Sequence, residues 1–154
     1  ILGTILSAEA LRLILDFSLN PGRYKYFMTG KKLDLADVKQ AMDNIQAHEK
    51  FLTQEALKLL REIPGIKIYG PQDPEKRTAL IAFTFKDKSP FEIAKALDGF
   101  GVESRAGCHC ATLAHYYYEL NPPASCRLSF YFYNDIKDVK KACGALSKII
   151  QNKK

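Results

Sequence analysis

Three neighbouring residues, Cys108, His109 and Cys110, carry the side chains of this chain that are best suited to chemistry. They follow Arg105-Ala106-Gly107, a stretch with almost no apolar bulk to bury it, so we expect an exposed loop. A thiol near cationic Arg105 or a protonated His109 has its thiolate favoured, and the thiolate is the reactive form of cysteine. The pattern therefore indicates a reactive cysteine, while a metal site and a purely structural role stay open as alternatives.

The metal alternative is a zinc site made from the same residues. Cys108, His109 and Cys110, with Cys126 as a fourth ligand, offer the soft donors that zinc accepts. Structural zinc sites usually place their ligands in two separated pairs, and no second Cys-x-x-Cys pair occurs in the sequence. The spacing is therefore a poor match to a zinc module, and we assign no metal ligands.

The remaining cysteines and histidines are expected to be structural. Cys126 begins a predicted strand and Cys143 lies near the apolar stripe of the last predicted helix, where each would be a small buried hydrophobe. His48 and His115 have no cysteine or second histidine placed to complete a ligand set, so each is expected to be a surface or packing residue. The irregular cysteine spacing, without a visible secretion signal, argues against a disulfide framework and favours a reducing compartment.

Arg127 lies between Cys126 and Leu128 in a segment typical of a strand. An arginine that projects from a strand beside a reactive loop can hold a carboxylate with two parallel hydrogen bonds. The alternative is a strand arginine whose stem packs while its guanidinium stays in water. The sequence is compatible with both interpretations.

The elements that must position these residues follow from hydrophobic spacing and from cap and turn residues. Ser89-Pro90-Phe91-Glu92, for example, combines a hydroxyl cap, a proline at the first helical position and a glutamate three residues after the cap. Helices beside a small, mainly antiparallel sheet of three to four strands predict an α+β fold. We predict helices at 7–17, from Asp34 to before Pro64, from Ser89 to Gly99 and after Asn134 or Asp135, strands at 66–69, 79–85, 102–105 and 126–133, and loops at 23–33 and 106–125.

Length and composition exclude several classes of protein. The 154 residues predict one domain over 1–154, and 47% apolar with 26% charged residues is typical of a globular chain rather than a disordered or collagen-like one. Glu9 and Arg12 interrupt the most apolar stretch, so no membrane span is expected. The net charge of +6 comes with lysines spread along the last helix rather than gathered in a stripe, so no nucleic-acid partner is expected.

A family resemblance rests on the segment Gly101-Val102-Glu103-Ser104-Arg105-Ala106-Gly107-Cys108-His109-Cys110-Ala111. It closely resembles the active-cysteine segment of class V aminotransferase-fold enzymes, and is most similar to that of SufS-type cysteine desulfurases and selenocysteine lyases. Further similar segments follow the family's order, namely Ile63 to Pro71, Cys126 to Phe130, and Tyr133-Asn134 before a closing helix. The chain therefore resembles the C-terminal small domain of such an enzyme, with 1–33 as a helix and connecting segment leading from a large domain.

The resemblance implies a role for four residues. Cys110 matches the nucleophile that takes sulfur from cysteine bound to pyridoxal 5'-phosphate and carries it as a persulfide, and His109 matches the histidine before it. Arg127 matches the arginine that pairs with the substrate carboxylate, and Arg105 matches a second arginine of that pocket. Cys108 stands where many desulfurases have another histidine.

The resemblance also implies which functional residues of the family lie outside this chain. The family's Schiff-base lysine and most of its cofactor ligands have no match in this chain, which begins at Ile1 rather than Met and is expected to be part of a longer protein. We therefore expect no cofactor-binding residue here, and an isolated chain that neither binds the cofactor nor turns over cysteine. The parent enzyme is expected to be a cytoplasmic homodimer that uses L-cysteine or a related amino acid and supplies an acceptor protein in iron–sulfur cluster assembly. The alternatives are a stand-alone persulfide or thiol carrier using Cys110, and the zinc module.

Overall fold

The computed structural model describes residues 35–151 of the chain. The helix predicted at 7–17, the loop predicted at 23–33 and the Asp34 cap lie outside the described residues. The chain divides into two compact units, 1–48 and 49–154. Residues 35–48 are the described part of the first unit, and the sheet, the shorter helices and the candidate site belong to the second. The expectation of one domain over 1–154 stays a prediction.

Four strands form one antiparallel sheet in the order β1-β2-β4-β3. Between and around them the described residues form four α-helices and one turn of 3₁₀-helix. The fold is α+β, which confirms the prediction. In chain order the elements are α1 (Leu35–Arg61), β1 (Ile66–Tyr69), the 3₁₀ turn (Pro74–Lys76), β2 (Leu80–Phe85), α2 (Pro90–Asp98), β3 (Arg105–Gly107), α3 (Thr112–Tyr117), β4 (Ser125–Ser129) and α4 (Ile136–Gln151).

The helix ends follow the cap residues of the sequence. Gly65, after α1, has a φ of +77°, a left-handed conformation that glycine adopts without a steric penalty. Ser89 begins α2 with a complete capping box, because its hydroxyl accepts from the helix backbone and Glu92 accepts from the Ser89 N–H. Of the two residues predicted to cap α4, Asp135 is the cap, since its carboxylate accepts from the N–H groups of Lys137 and Asp138.

The two faces of the sheet differ in what they carry. Ile81, Phe83 and Phe85 alternate along β2 and point to the buried face, as do Cys126 and Leu128 of β4. Helix residues complete this core, among them Leu52, Ala56, Leu57, Leu60, Ile93, Leu97, Val139, Ala142, Cys143 and Leu146. The other face carries the alternate residues, and the candidate site lies there.

Two strands have bounds that differ from the predicted ones. The third strand was expected at 102–105, but Val102 is buried against the end of α2, where its N–H donates to the Leu97 carbonyl at 3.0 Å, and β3 begins only at Arg105. The fourth was expected at 126–133, but β4 ends at Ser129. Tyr131 already bonds both the backbone and the side chain of Asn134 in the turn before α4.

The predicted loop at 106–125 contains the short helix α3. The sequence signal for it is weak because its cap residue, Ala111, has no side chain that can accept a hydrogen bond. Just after α3, the Tyr118 ring packs against that of Tyr69 in β1, with ring centroids 5.1 Å apart. This contact holds the segment that follows Cys110 over the face of the sheet opposite the core.

Candidate active site

The residues with the strongest chemical signal form a tight turn directly after β3. The Ala111 N–H donates to the Cys108 carbonyl at 2.7 Å, and both central residues, His109 and Cys110, have left-handed backbones with φ of 51° and 60°. Such conformations cost roughly 1–2 kcal/mol for each non-glycine residue. The turn leaves Cys110 exposed and Cys108 half-buried. The expected exposed loop is therefore a defined and strained turn.

The four thiols differ in environment. The Thr112 hydroxyl and then the Cys110 N–H donate to the Cys108 sulfur, and with the charge of Arg105 they hold the pKa of Cys108 below the value of a free thiol. Burial raises the pKa of Cys126, and raises that of Cys143 to about 11. The last two cysteines are buried, as expected. Stabilisation of the Cys108 thiolate depends on Thr112, which the sequence analysis did not single out.

His109 is half-buried, and burial holds its pKa below that of an exposed histidine. The charges of Arg127, His115 and Arg105 act in the same direction, while a hydrogen bond to Ser125 opposes them. That bond joins Nε2 to the Ser125 carbonyl at 3.0 Å. Nδ1 is buried and has no hydrogen-bond partner within 35–151. His109 is therefore held neutral at physiological pH with one buried nitrogen to offer.

His115 is a buried, hydrogen-bonded residue and not a surface one. It is 8% exposed, and its Nδ1 lies 2.9 Å from the Ala111 carbonyl while its Nε2 lies 2.9 Å from the Ser125 hydroxyl. Its ring centroid is 5.8 Å from that of His109. The expectation of a packing residue is correct, but no sequence pattern indicates that His109 and His115 both bond Ser125.

Arg105 and Arg127 are direct partners in the register of β3 and β4. Side chains of directly opposed residues lie on the same face of a sheet, so the two cations are neighbours. Like charges in this position are destabilising, and the Nε of Arg127 is buried without a hydrogen-bond partner among the described residues. An anion that binds both guanidinium groups would relieve both costs.

Arg127 lines two pockets. One pocket is mainly apolar and brings His109, His115, Tyr69 and Tyr118 together with Arg127. The other contains Arg105, and its remaining lining comes from the segment before β3, from the end of β4 with the turn that follows it, and from α4. The structure thus brings together both predicted arginines and His109, with the Cys110 turn beside them.

The described residues do not make a complete site for pyridoxal phosphate. That cofactor needs a lysine for its Schiff base and a partner for its ring nitrogen. The mainly apolar pocket is lined by neither a lysine nor a carboxylate. The other has the carboxylates of Glu103 and Asp138, but its only lysine, Lys141, is bonded to the Gly101 carbonyl.

Metal binding finds no support in the same part of the chain. Within 35–151, no three His, Cys, Asp or Glu side chains come together as a ligand set. His109, the central residue of the candidate zinc site, directs its Nε2 to a carbonyl oxygen instead.

Fold and site together define an α+β domain with two register-paired arginines at the end of the sheet from which the turn with the exposed Cys110 thiol emerges. The class V aminotransferase family matches this chain over residues 25–142, and the chain belongs to that family.

Individual relatives share part of their length with this chain. A probable cysteine desulfurase of Halalkalibacterium halodurans is 39% identical over 107 residues, which cover 70% of this chain and 25% of that protein. A cysteine desulfurase of Escherichia coli O157:H7 is 34% identical over 110 residues, covering 71% and 26%. The chain thus spans about a quarter of the length of these curated relatives.

Solved structures share the fold. The apo cysteine desulfurase of Thermococcus onnurineus NA1 superposes with a TM-score of 0.68 at 23% identity, over 77% of this chain and 30% of that one. The cysteine desulfurase CsdA of Escherichia coli gives 0.63 at 20% identity, over 82% and 33%. In the part of the chain that the structure describes, no helix is long and apolar enough to cross a membrane.

Proposed function

We propose that this chain is the C-terminal part of a pyridoxal phosphate-dependent cysteine desulfurase-like enzyme. The observation that carries the proposal is the register pair of Arg105 and Arg127 at the end of the sheet from which the Cys110 turn emerges. A cation pair for a carboxylate next to an exposed thiol suits an amino acid whose side chain reacts with that thiol. The names of the relatives, cysteine desulfurases, agree with this chemistry.

Arg127 holds the substrate carboxylate in this proposal. Its guanidinium can form two parallel bonds to a carboxylate, and Arg105 adds a second positive charge from the neighbouring strand. Both residues lie in the sheet rather than on a loop, so their positions are fixed by the strand ladder. The carboxylate would also remove the repulsion between the two cations.

Cys110 is the nucleophile. Its thiolate attacks the sulfur of the bound cysteine, so that a sulfur–sulfur bond forms on Cys110 as the carbon–sulfur bond of the substrate breaks. The net change converts L-cysteine and the thiol into L-alanine and a Cys110 persulfide, and needs no external oxidant or reductant. His109, held neutral, is suited to accept a proton beside this thiol.

Pyridoxal phosphate belongs to the parent enzyme in this proposal, because one described pocket is lined by no lysine and the only lysine lining the other, Lys141, is bonded to the Gly101 carbonyl. When bound, the cofactor withdraws electrons from the amino acid and so weakens its carbon–sulfur bond. The parent enzyme acts as a cytoplasmic homodimer that passes the persulfide sulfur to an acceptor protein for iron–sulfur cluster assembly. The isolated chain neither binds the cofactor nor turns over cysteine.

The test uses the full-length parent enzyme loaded with pyridoxal phosphate and given L-cysteine. Alanine formation is measured together with mass spectrometry of the peptide that contains Cys110, which should gain one sulfur atom. Cys110→Ser should abolish both signals, and Arg127→Lys should raise the KM for cysteine because lysine lacks the planar pair of donors. Cys108→Ser is the matched control and should still accept sulfur.

Two outcomes would contradict the proposal. Alanine formation that persists in Cys110→Ser would remove the assigned nucleophile. Sulfur that reaches Cys110 only from a separate persulfide-bearing protein, without alanine formation by the parent, would favour the stand-alone carrier instead.

A further inference from the structure

Ser125 is the common anchor of the two histidines that flank Cys110. It is 1% exposed in β4, where it pairs with Gly107 at the end of β3. Its backbone carbonyl accepts from His109, and its side-chain hydroxyl bonds His115. The residue before Cys110 and the helix after it are thus tied to one point of the sheet.

The hydrogen bonds also fix where the ring protons lie. A carbonyl oxygen can only accept, so the Nδ1 of His115 carries a proton and donates it to Ala111. The Nε2 of the neutral ring then accepts from the Ser125 hydroxyl. By the same argument, neutral His109 carries its proton on Nε2. When its ring is neutral, His115 is therefore the less common Nδ1–H tautomer.

The turn needs such restraints. His109 and Cys110 both occupy left-handed conformations, which persist in non-glycine residues only where the surroundings over-determine them. The turn's own bond, from Ala111 N–H to the Cys108 carbonyl, is one restraint. His115 adds a second at the same residue, because its Nδ1–H holds the Ala111 carbonyl.

We propose that His115 is a positioning residue for Cys110. Together with His109 it forms a clamp on Ser125 that keeps the turn in its left-handed conformation and so fixes where the Cys110 thiol is presented. The inference deepens the proposed function, since that function makes Cys110 the nucleophile.

The first readout is spectroscopic and needs no substrate. In the isotope-labelled chain, long-range nitrogen–proton correlations should show the Nδ1–H tautomer for His115 and the Nε2–H tautomer for His109, with His48→Gln used for assignment. Backbone carbon shifts of His109 and Cys110 should report positive φ. In His115→Phe, which fills the space but makes neither bond, those shifts should move toward averaged values.

Two further variants separate the parts of the clamp. His115→Asn keeps an N–H near the position of Nδ1 and should rescue the turn. Ser125→Ala removes only the hydroxyl and should loosen the turn in the same direction but by less. Unchanged positive-φ shifts in His115→Phe would overturn the proposal. If His115→Phe does not fold, Ser125→Ala decides, and an unaltered turn there overturns it equally.

The second readout is kinetic, in the full-length enzyme with pyridoxal phosphate and cysteine. A displacement of about 1 Å from the reactive geometry costs on the order of 100-fold in rate, so kcat should fall at least roughly tenfold in His115→Phe. The KM should change little, because the arginine pair is untouched. If the turn loosens as described but Cys110 never receives sulfur in the unaltered enzyme, the proposed function fails while the clamp stands.

Discussion

Replacing Arg127 by methionine should make the folded chain more stable although it removes a residue of the site. Methionine keeps most of the packing of the arginine stem and deletes the guanidinium. That group faces Arg105 across the strand pair, and its Nε is buried without a partner among the described residues. Two unfavourable contributions therefore disappear together.

Their sizes follow from the geometry. Directly opposed residues have Cβ atoms about 5 Å apart. Two unit charges at about 6 Å repel by roughly 0.7 kcal/mol in water and about 3 kcal/mol at an effective dielectric constant of 20. Arg105 is exposed, so the lower part of that range applies, about 1 kcal/mol. A buried donor without an acceptor adds roughly 1–3 kcal/mol. We expect Arg127→Met to raise the free energy of unfolding by about 2 kcal/mol.

The assay is urea denaturation followed by circular dichroism, at low salt and at about 1 M salt, where the screening length falls to about 3 Å. The gain should shrink at high salt because only the charge repulsion is screened. Arg77→Met is the matched control. The Arg77 Nε is also buried without a partner among the described residues, but its guanidinium donates to the carbonyls of Pro71 and Leu80, both at 2.8 Å, so its removal should destabilise the chain by roughly 1–3 kcal/mol. A loss of stability in Arg127→Met, or a gain that salt leaves unchanged, would refute the reasoning.

Three further predictions concern the thiols, His109 and the α2 cap. Iodoacetamide should label Cys108 and Cys110 well before Cys126 and Cys143 in the folded chain, because burial raises the pKa of the last two, and peptide mass spectrometry would expose any other order. His109 has a lowered pKa in the folded state, so the unfolded chain binds its proton first as the pH falls below about 6.5. The free energy of unfolding should therefore be highest above that pH and decline below it. The urea midpoint of His109→Gln should decline less over the same pH range. An identical decline in both proteins would contradict the lowered pKa of His109. Ser89→Ala should cost about 1 kcal/mol of unfolding free energy by the loss of the capping box, whereas Ser89→Thr should cost little.

Local signals in the sequence were sufficient for the elements whose ends depend on neighbouring residues. The Ser89 capping box and the Asp135 cap each act within four residues; the capping box was predicted, and Asp135 is one of the two residues predicted to cap α4. Strand β3 was displaced because the burial of Val102 against α2 outweighs its preference for a strand, and nothing local reveals that contact. The contact of His115 in α3 with Ser125 in β4, ten residues further along the chain, likewise depends on tertiary packing.

The candidate site could be predicted in its residue types but not in its internal contacts. Arg105, His109 and Cys110 were identified by their proximity in the chain, and Arg127 by its place in a strand. That Arg105 and Arg127 face each other follows only from the pairing of β3 with β4, which depends on how the intervening segment packs. A charged residue in each of two strands flanking a cysteine-rich segment is the signal that could have suggested it.

Apart from the unpartnered Nε of Arg77, the unfavourable features named for the described residues are concentrated at one end of the sheet. Three left-handed non-glycine residues, two opposed arginines and the unpartnered Nδ1 of His109 occur within the segment that joins β3 to β4 and the strands beside it. The core on the other face consists of buried apolar side chains. An anion bound to the arginines would relieve the repulsion, and a donor beside His109 would satisfy its ring. A carboxylate-bearing ligand should therefore raise the free energy of unfolding of the unaltered chain by more than it raises that of the Arg127→Met variant. This difference is expected of a binding site and not of a poorly packed strand end.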